Sequence, residues 1–308
     1  MNPEKFHTAV IDGKEIIVSG RFLKTARLHA EYYEFIKDPE CFVQQLWTLD
    51  TGASLFTFVQ EIGDQQAQNP FYHEPESLAV LSLSTYEHWW KKQINDKTRN
   101  MIRKAQKSGV ELRICALDNG FVRAIMEIYN ECPMRQGKPF KHYGKDFSTI
   151  KRDHATFLER SEFIGAFQGG KMIGFIKLVH GGKASSLMQI ISKIAWRDKA
   201  STNALIAKAV EICAERGIPY LHYGIWSRRG IGEFKKHHGF AQYDVPRYYV
   251  PLNLRGRLAL KLSLHRELAS YIPETAHDQI VALRGRWNQL RYKNMTQERG
   301  SGSMGRAS

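Results

Sequence analysis

The stretch 161–217 constrains this chain most. Three apolar runs, EFIGAFQ, KMIGFIKLVH and SSLMQIIS, are joined by the pairs Gly169-Gly170 and Gly181-Gly182 and followed by NALIAKAVEICAERG. Glycine supplies the φ values of tight hairpins, so the runs read as a three-strand meander and the next segment as a helix over 203–217. That helix leads into the run PYLHYGI, and a strand reached through a helix commonly lies parallel to a neighbour, which makes the sheet mixed. Upstream, VELRICA reads as a strand, with helices over 121–132 and 146–161. Downstream come a short helix at GEFKKHHG and an extended segment, YDVPRYYVPL. The order over 109–252 is β-α-α-β-β-β-α-β-α-β.

The first hundred or so residues read as a smaller α/β unit. VIDGKEIIVSG carries a turn and an opening strand, LKTARLHAEYYEFI has helical spacing, and LFTFVQ and LAVLSLS are strands around a polar loop. Ser84 and Thr85 offer N-cap chemistry to one long helix over 86–108, stopped by Gly109. The expected domains are therefore 1–108, 109–252, basic helices over 253–295 and a Gly/Ser-rich disordered tail, 296–308.

With 45 Lys+Arg against 31 Asp+Glu, the net charge is +14, which points to an anionic partner. The segment 86–113 carries eight basic residues against three acidic ones, and 255–308 carries ten against four. On one long helix, Lys92, Arg99, Arg103 and Lys107 share a stripe opposite Trp90, Ile94, Met101 and Ala105. A solvated face and a phosphate-tracking ridge both fit. Composition, with 43% hydrophobic residues, excludes the disordered classes. No apolar run approaches a membrane span and no signal segment is evident, so a cytoplasmic protein is expected. Cys41, Cys115, Cys132 and Cys213 lack paired spacing, and the twelve histidines never form H-E-x-x-H, so no metal site is expected.

The region 109–252 resembles the GNAT superfamily of N-acyltransferases in element order. Those enzymes hold the acyl-CoA pyrophosphate on a loop of the type Q/R-x-x-G-x-G/A opening the central helix. The matching positions here are Arg197, Asp198, Lys199, Ala200, Ser201 and Thr202, followed by Asn203. Backbone N–H groups at a helix start cradle phosphate, and glycine keeps the approach open. Ala200 and Thr202 depart from that pattern, and Ser201 and Thr202 equally fit a first helical turn. The whole chain is similar to the FemAB-like branch, with tandem GNAT-like units. TRNMIRKAQKSGV (98–110) and FKKHHGF (234–240) carry that likeness, with His238 where the family has an aromatic residue. The resemblance implies an α/β (α+β), mixed-sheet GNAT-like fold and transfer of an acyl or aminoacyl group to an amine. It further implies aminoacyl-tRNA or acyl-CoA as co-substrate, with Arg99 and Arg103 among the donor-binding residues.

Acyl transfer requires a neutral amine, stabilisation of an oxyanion and protonation of the leaving group. Lys235 follows a glycine-bearing loop (230–233) and is the cation expected to meet anionic substrate; the family comparison suggests a catalytic role. The alternative is a solvated basic surface with Arg228, Arg229 and Lys236. The loop 131–145 gathers Glu131, Arg135, Gln136, His142 and Tyr143, a constrained polar cluster that suits the acceptor. Glu131 or His142 offers a general base and Arg135 a clamp for a carboxylate or phosphate. Trp226 and Ser227 occupy the position where the family often places a tyrosine acid. The partners expected are a phosphate-bearing donor, an amine-bearing small molecule or peptide, and peripheral contact with anionic surfaces. A non-catalytic RNA- or anionic-surface-binding protein on this fold remains the contrasting class. An aminoacyl-tRNA donor accounts for the basic helices, whereas acyl-CoA needs only a few phosphate contacts.

Overall fold

A computed structural model describes residues 7–227 and 230–266. The chain opens with β1 (His7–Ile11), β2 (Lys14–Ser19), β3 (Thr25–Leu28), α1 (Pro39–Thr48), β4 (Leu55–Val59) and β5 (Tyr72–Ser82). Then come α2 (Tyr86–His88), continuing as a π-turn over Trp89–Gln93, and α3 (Asp96–Lys107), β6 (Glu111–Cys115) and α4 (Asn119–Tyr129). A small ribbon, β7 (Met134–Arg135) with β8 (Lys138–Pro139), precedes α5 (Phe147–His154). The meander is β9 (Ser161–Gln168), β10 (Lys171–Gly181) and β11 (Ala184–Ser192), followed by α6 (Ser201–Glu215). The described chain closes with β12 (Tyr220–Ile225), α7 (Ile231–His237), β13 (Ala241–Pro251) and α8 (Leu254–Lys261).

Eleven strands form one mixed sheet, in the order β1-β2-β3-β4-β13-β5-β12-β11-β10-β9-β6. The expected meander and the parallel return of β12 onto β11 are both present. β10 is buried on both faces: Met172 and Phe175 pack under α4 and α5, Ile176 and Leu178 under α6. This explains its nearly continuous apolar run. β13 lies between β4 and β5, pairing Tyr249 with Tyr72 and Pro251 with Leu55. Its Tyr248 and Val250 complete the core that Phe42, Phe56 and Phe58 begin. The sheet therefore runs unbroken across the expected boundary at residue 108, and each half contributes a strand to the other.

Two local expectations are corrected. The segment expected to be a helix from Leu23 is β3, in which Ala26 and Leu28 are buried and Arg27 is exposed. Pairing to β2 and β4 decides the matter, because alternation by two buries those residues where a helix would not. The helix in this region is instead α1, where Asp38 accepts from the Cys41 N–H at 3.0 Å and Pro39 occupies the first turn. The continuous helix over 86–108 is broken: Ile94 is extended and Asn95 caps α3 through the Thr98 N–H at 2.9 Å. Arg99 holds the break by donating to the Trp90 and Ile94 carbonyls, both at 2.7 Å. Of the expected C-terminal helices, α8 is present; 267–295 and the tail 296–308 lie outside the described residues, as do Arg228 and Arg229.

A buried charge cluster fastens β13. Arg247 reaches Glu31 at 2.8 Å, Thr57 at 3.2 Å and the Tyr32 hydroxyl at 3.0 Å, and also pairs with Glu76. Replacing one member of such a cluster strands the others. Arg247→Met is expected to lower unfolding free energy by about 3–5 kcal/mol, measured by urea titration. Adding Glu31→Leu and Glu76→Leu is expected to restore much of that loss.

Candidate functional site

A cleft of about 730 Å³ lies between the end of β11, the start of α6, the β7–β8 ribbon and α7. The size suits a small molecule or the end of a larger one. Its walls bring together Arg135, Gln136, His142, Arg197, Ala200, Ser201, Thr202 and Asn203 from the two candidate groups. Lys141, Lys193, Met101, Gln189, Ser192 and Tyr223 also line it and were not anticipated as site residues. Arg135, Lys141, Lys193 and Arg197 give it four cations, and no carboxylate is among the described lining residues.

At the start of α6, Ala200 takes a left-handed conformation (φ 54, ψ 28), the geometry for which glycine is usual. No side chain caps the first turn; the Asn203 N–H donates to the Ala200 carbonyl at 3.0 Å, and the Ser201 and Thr202 N–H groups have no side-chain cap. The Thr202 hydroxyl is occupied: it lies 2.9 Å from the Ser192 hydroxyl, tying α6 to the end of β11. Arg197 is exposed at the rim. Lys199 pairs with Asp198 at 3.4 Å and does not line the cleft.

The acceptor-side residues divide by role. Glu131 accepts from the backbone N–H groups of Ile194 (2.7 Å) and Ala195 (2.9 Å) and from Arg135 (3.0 Å). It clamps the short helical turn before α6 and is not in the cleft wall. Arg135 donates to the Ser192 and Ile128 carbonyls and lies over the Phe140 ring. Gln136 and Gly137 both have positive φ, as the two-residue turn of the ribbon demands. His142 stacks on Tyr129 at 4.6 Å with its Nε2 buried and unpartnered, and burial pushes its pKa down to about 4, so it is neutral at pH 7. Tyr143 is exposed and outside the wall.

Lys235 is buried behind Tyr223, between Phe234 and the end of β12. Its ammonium donates to the Ile225 carbonyl at 2.8 Å and lies 4.8 Å from the centre of the Tyr223 ring. Burial lowers its pKa to about 8. Trp226 donates its backbone N–H to the Ser77 carbonyl, and its ring lies beneath Lys236. Ser227 has a buried, unpartnered hydroxyl; its carbonyl sits against Gly232, where an added Cβ would be 1.7 Å away. Arg99 is committed to the helix break. Arg103 is exposed and lies over Trp90, on the same helix that sends Met101 into the cleft. Lys97, Lys104 and Lys107 are also exposed on α3.

No protein-family model matches the sequence, and no curated protein does. Solved structures do. FemX is similar over 83% of this chain and 90% of its own, at 10% identity and a TM-score of 0.57. The C-terminal DUF2156 domain of a protein described as a lysylphosphatidylglycerol synthetase from Agrobacterium fabrum gives 83%, 87%, 16% and 0.54 on the same measures. L-PGS from Bacillus licheniformis gives 83%, 88%, 12% and 0.53. At these identities the likeness establishes the fold: the chain has the mixed-sheet, GNAT-like architecture shared with FemX.

Proposed function

We propose that this protein is an acyltransferase that takes an aminoacyl group from aminoacyl-tRNA and passes it to an amine, in a cytoplasmic setting. The observation that carries this reading is the cleft's set of four cations, together with Met101, which brings α3 and its exposed basic residues to the cleft. Of the four, Arg135 and Lys193 are paired with Glu131 and Glu127 from outside the wall, while Arg197 and Lys141 carry no ion pair among the described residues. A cleft of this volume admits only the end of a tRNA, so the rest of the phosphate chain needs a cationic surface outside it. Lys97, Arg103, Lys104 and Lys107 supply one, and no salt bridge occupies them among the described residues. FemX and L-PGS share the fold, which supports acyl transfer as the class of reaction.

In the proposed reaction a neutral amine attacks the ester carbonyl. A C–N bond forms, the bond from the carbonyl carbon to the ribose oxygen breaks, and the proton shed by nitrogen is delivered to the leaving oxygen. Arg197 and the uncapped start of α6 hold donor phosphate. Lys235, which does not line the cleft but lies buried against the lining residue Tyr223, is the cation proposed to meet the developing oxyanion once that ring shifts. Glu131 serves by holding the turn that carries Arg197. The second reading, acyl-CoA as donor, is favoured by one specific observation: the Thr202 hydroxyl is held by Ser192, which leaves the start of α6 open to a pyrophosphate.

The donors separate by salt dependence. Reversing charge at Arg103, Lys104 and Lys107 together is expected to weaken tRNA binding at least tenfold at low salt, measured by fluorescence anisotropy. The log–log salt slope should fall by roughly 0.7–0.9 for each phosphate that is no longer neutralised. Unchanged tRNA binding would contradict the tRNA reading and leave CoA.

A further inference from the structure

We propose that the end of the sheet carrying α8 is a docking surface for an anionic lipid bilayer. α8 is amphipathic in the reverse of the usual sense. Gly256 and Ala259 face the protein, with Gly256 so close that an added Cβ would lie 1.9 Å from the Ser54 carbonyl. Leu254, Leu258 and Leu262, spaced one turn apart on one line, face outward and are 78%, 56% and 56% exposed. Close packing on Ser54 accounts for the inward glycine; the outward line of three leucines is an apolar stripe of the kind an interfacial helix presents to a bilayer.

The helix is not alone. Leu252 donates to the Ser54 carbonyl at 2.9 Å and Asn253 to the Ala53 carbonyl at 3.2 Å, which fixes α8 beside the loop after α1. That loop meets the β2–β3 turn, where Ser54 donates to the Lys24 carbonyl at 2.8 Å. These contacts bring Phe22 (93% exposed), and Trp47 (55%) from the last turn of α1, to the same end of the molecule as the leucines, with Leu49 also exposed. Around these apolar groups stand Arg21, Lys24, Arg255, Arg257 and Lys261, all exposed; Asp50 is the one acid in the three segments. Large apolar groups ringed by cations match an interface of acyl chains under anionic headgroups. That charge complementarity favours a bilayer over a second copy of this chain, whose equivalent face would repel it.

The surface also has a definite relation to the cleft. β11 is parallel to β12, and β12 and β13 are both antiparallel to β5, so all three finish at one end of the sheet. The cleft opens where β11 ends and α8 follows where β13 ends, so a bilayer engaged by α8 lies at the cleft's end of the molecule.

The test is co-sedimentation of the full-length chain with vesicles of phosphatidylglycerol and phosphatidylcholine in equal parts, and with phosphatidylcholine alone. Binding to the mixed vesicles, reversed by about 0.5 M salt, is expected, with little to the neutral ones. Leu254→Asp with Leu258→Asp should weaken it by about tenfold or more for each leucine withdrawn. Arg255→Glu with Arg257→Glu should also weaken it, and both pairs are at exposed positions where the melting temperature should hold. The proposal is overturned if the full chain does not bind, as when 267–308 or a second copy covers the leucines. It is equally overturned if neutral vesicles bind as well, or if the leucine variant binds undiminished.

Discussion

Lys235→Ala is expected to reduce kcat by about 100- to 1,000-fold while leaving donor affinity within about twofold. Lys235 has one hydrogen-bond acceptor among the described residues, the Ile225 carbonyl, so its ammonium retains donor capacity beside the cleft. An ammonium with a pKa near 8 is mostly charged at pH 7, and its burial against Tyr223 strengthens its field relative to an exposed lysine. The pH profile carries the same information. If the charged form stabilises an oxyanion, kcat is level below pH 8 and declines above it; a lysine acting as a base would give a rate that rises through pH 8. Lys235→Met controls for packing, since it fills the same space without charge. A variant that raises KM with kcat intact would move Lys235 from the reaction to binding.

Acid is expected to unfold the protein well above the pH at which carboxylates titrate. His154, His222 and His238 are buried, and burial pushes each pKa down to about 4. Each also has one ring nitrogen without a partner: Nδ1 in His154, Nε2 in His222 and His238. A second proton on any of them would place an unpaired N–H and a charge in the core. The folded pKa lies below the unfolded value near 6.5, so between about pH 6.5 and 4 the unfolded chain binds more protons. Stability is then complete above pH 6.5 and is lost as pH falls towards 4, by up to about 3 kcal/mol per histidine. Three such groups approach the stability of a whole domain, of order 5–15 kcal/mol. Urea midpoints at pH 7.5, 6, 5 and 4.5 should fall steeply across this series; a flat series would contradict the account.

The central part of the fold was legible because its signals are local. Gly169-Gly170 and Gly181-Gly182 mark the hairpins, the apolar continuity of β10 marks a strand buried on both faces, and the spacing of α6 marks a helix. What escaped depends on partners far along the chain. Thr25 to Leu28 become a strand because β4 lies alongside, and a four-residue segment cannot announce that partner against a helical spacing. β13 slots between β4 and β5 across roughly 160 to 200 residues, and nothing near Tyr248 points to Phe58. The Asp38-Pro39 and Asn95-Asp96 caps were present in the sequence and outweighed by longer apolar patterns. At the site, the 131–145 loop and the 197–203 turn both contribute residues to the cleft. The individual roles were not legible: Glu131 looks like a free base until the Ile194 and Ala195 N–H groups occupy it, and Arg99 looks like a ridge cation until two carbonyls claim it.

The donor is the centre of the account, and it is tested most directly by what the protein retains. Purification at low ionic strength, followed by extraction and mass spectrometry of the bound material, is predicted to yield tRNA that 0.5 M salt releases and that the Arg103, Lys104 and Lys107 charge reversals abolish. Recovery of CoA or an acyl-CoA in its place would contradict the aminoacyl-tRNA reading.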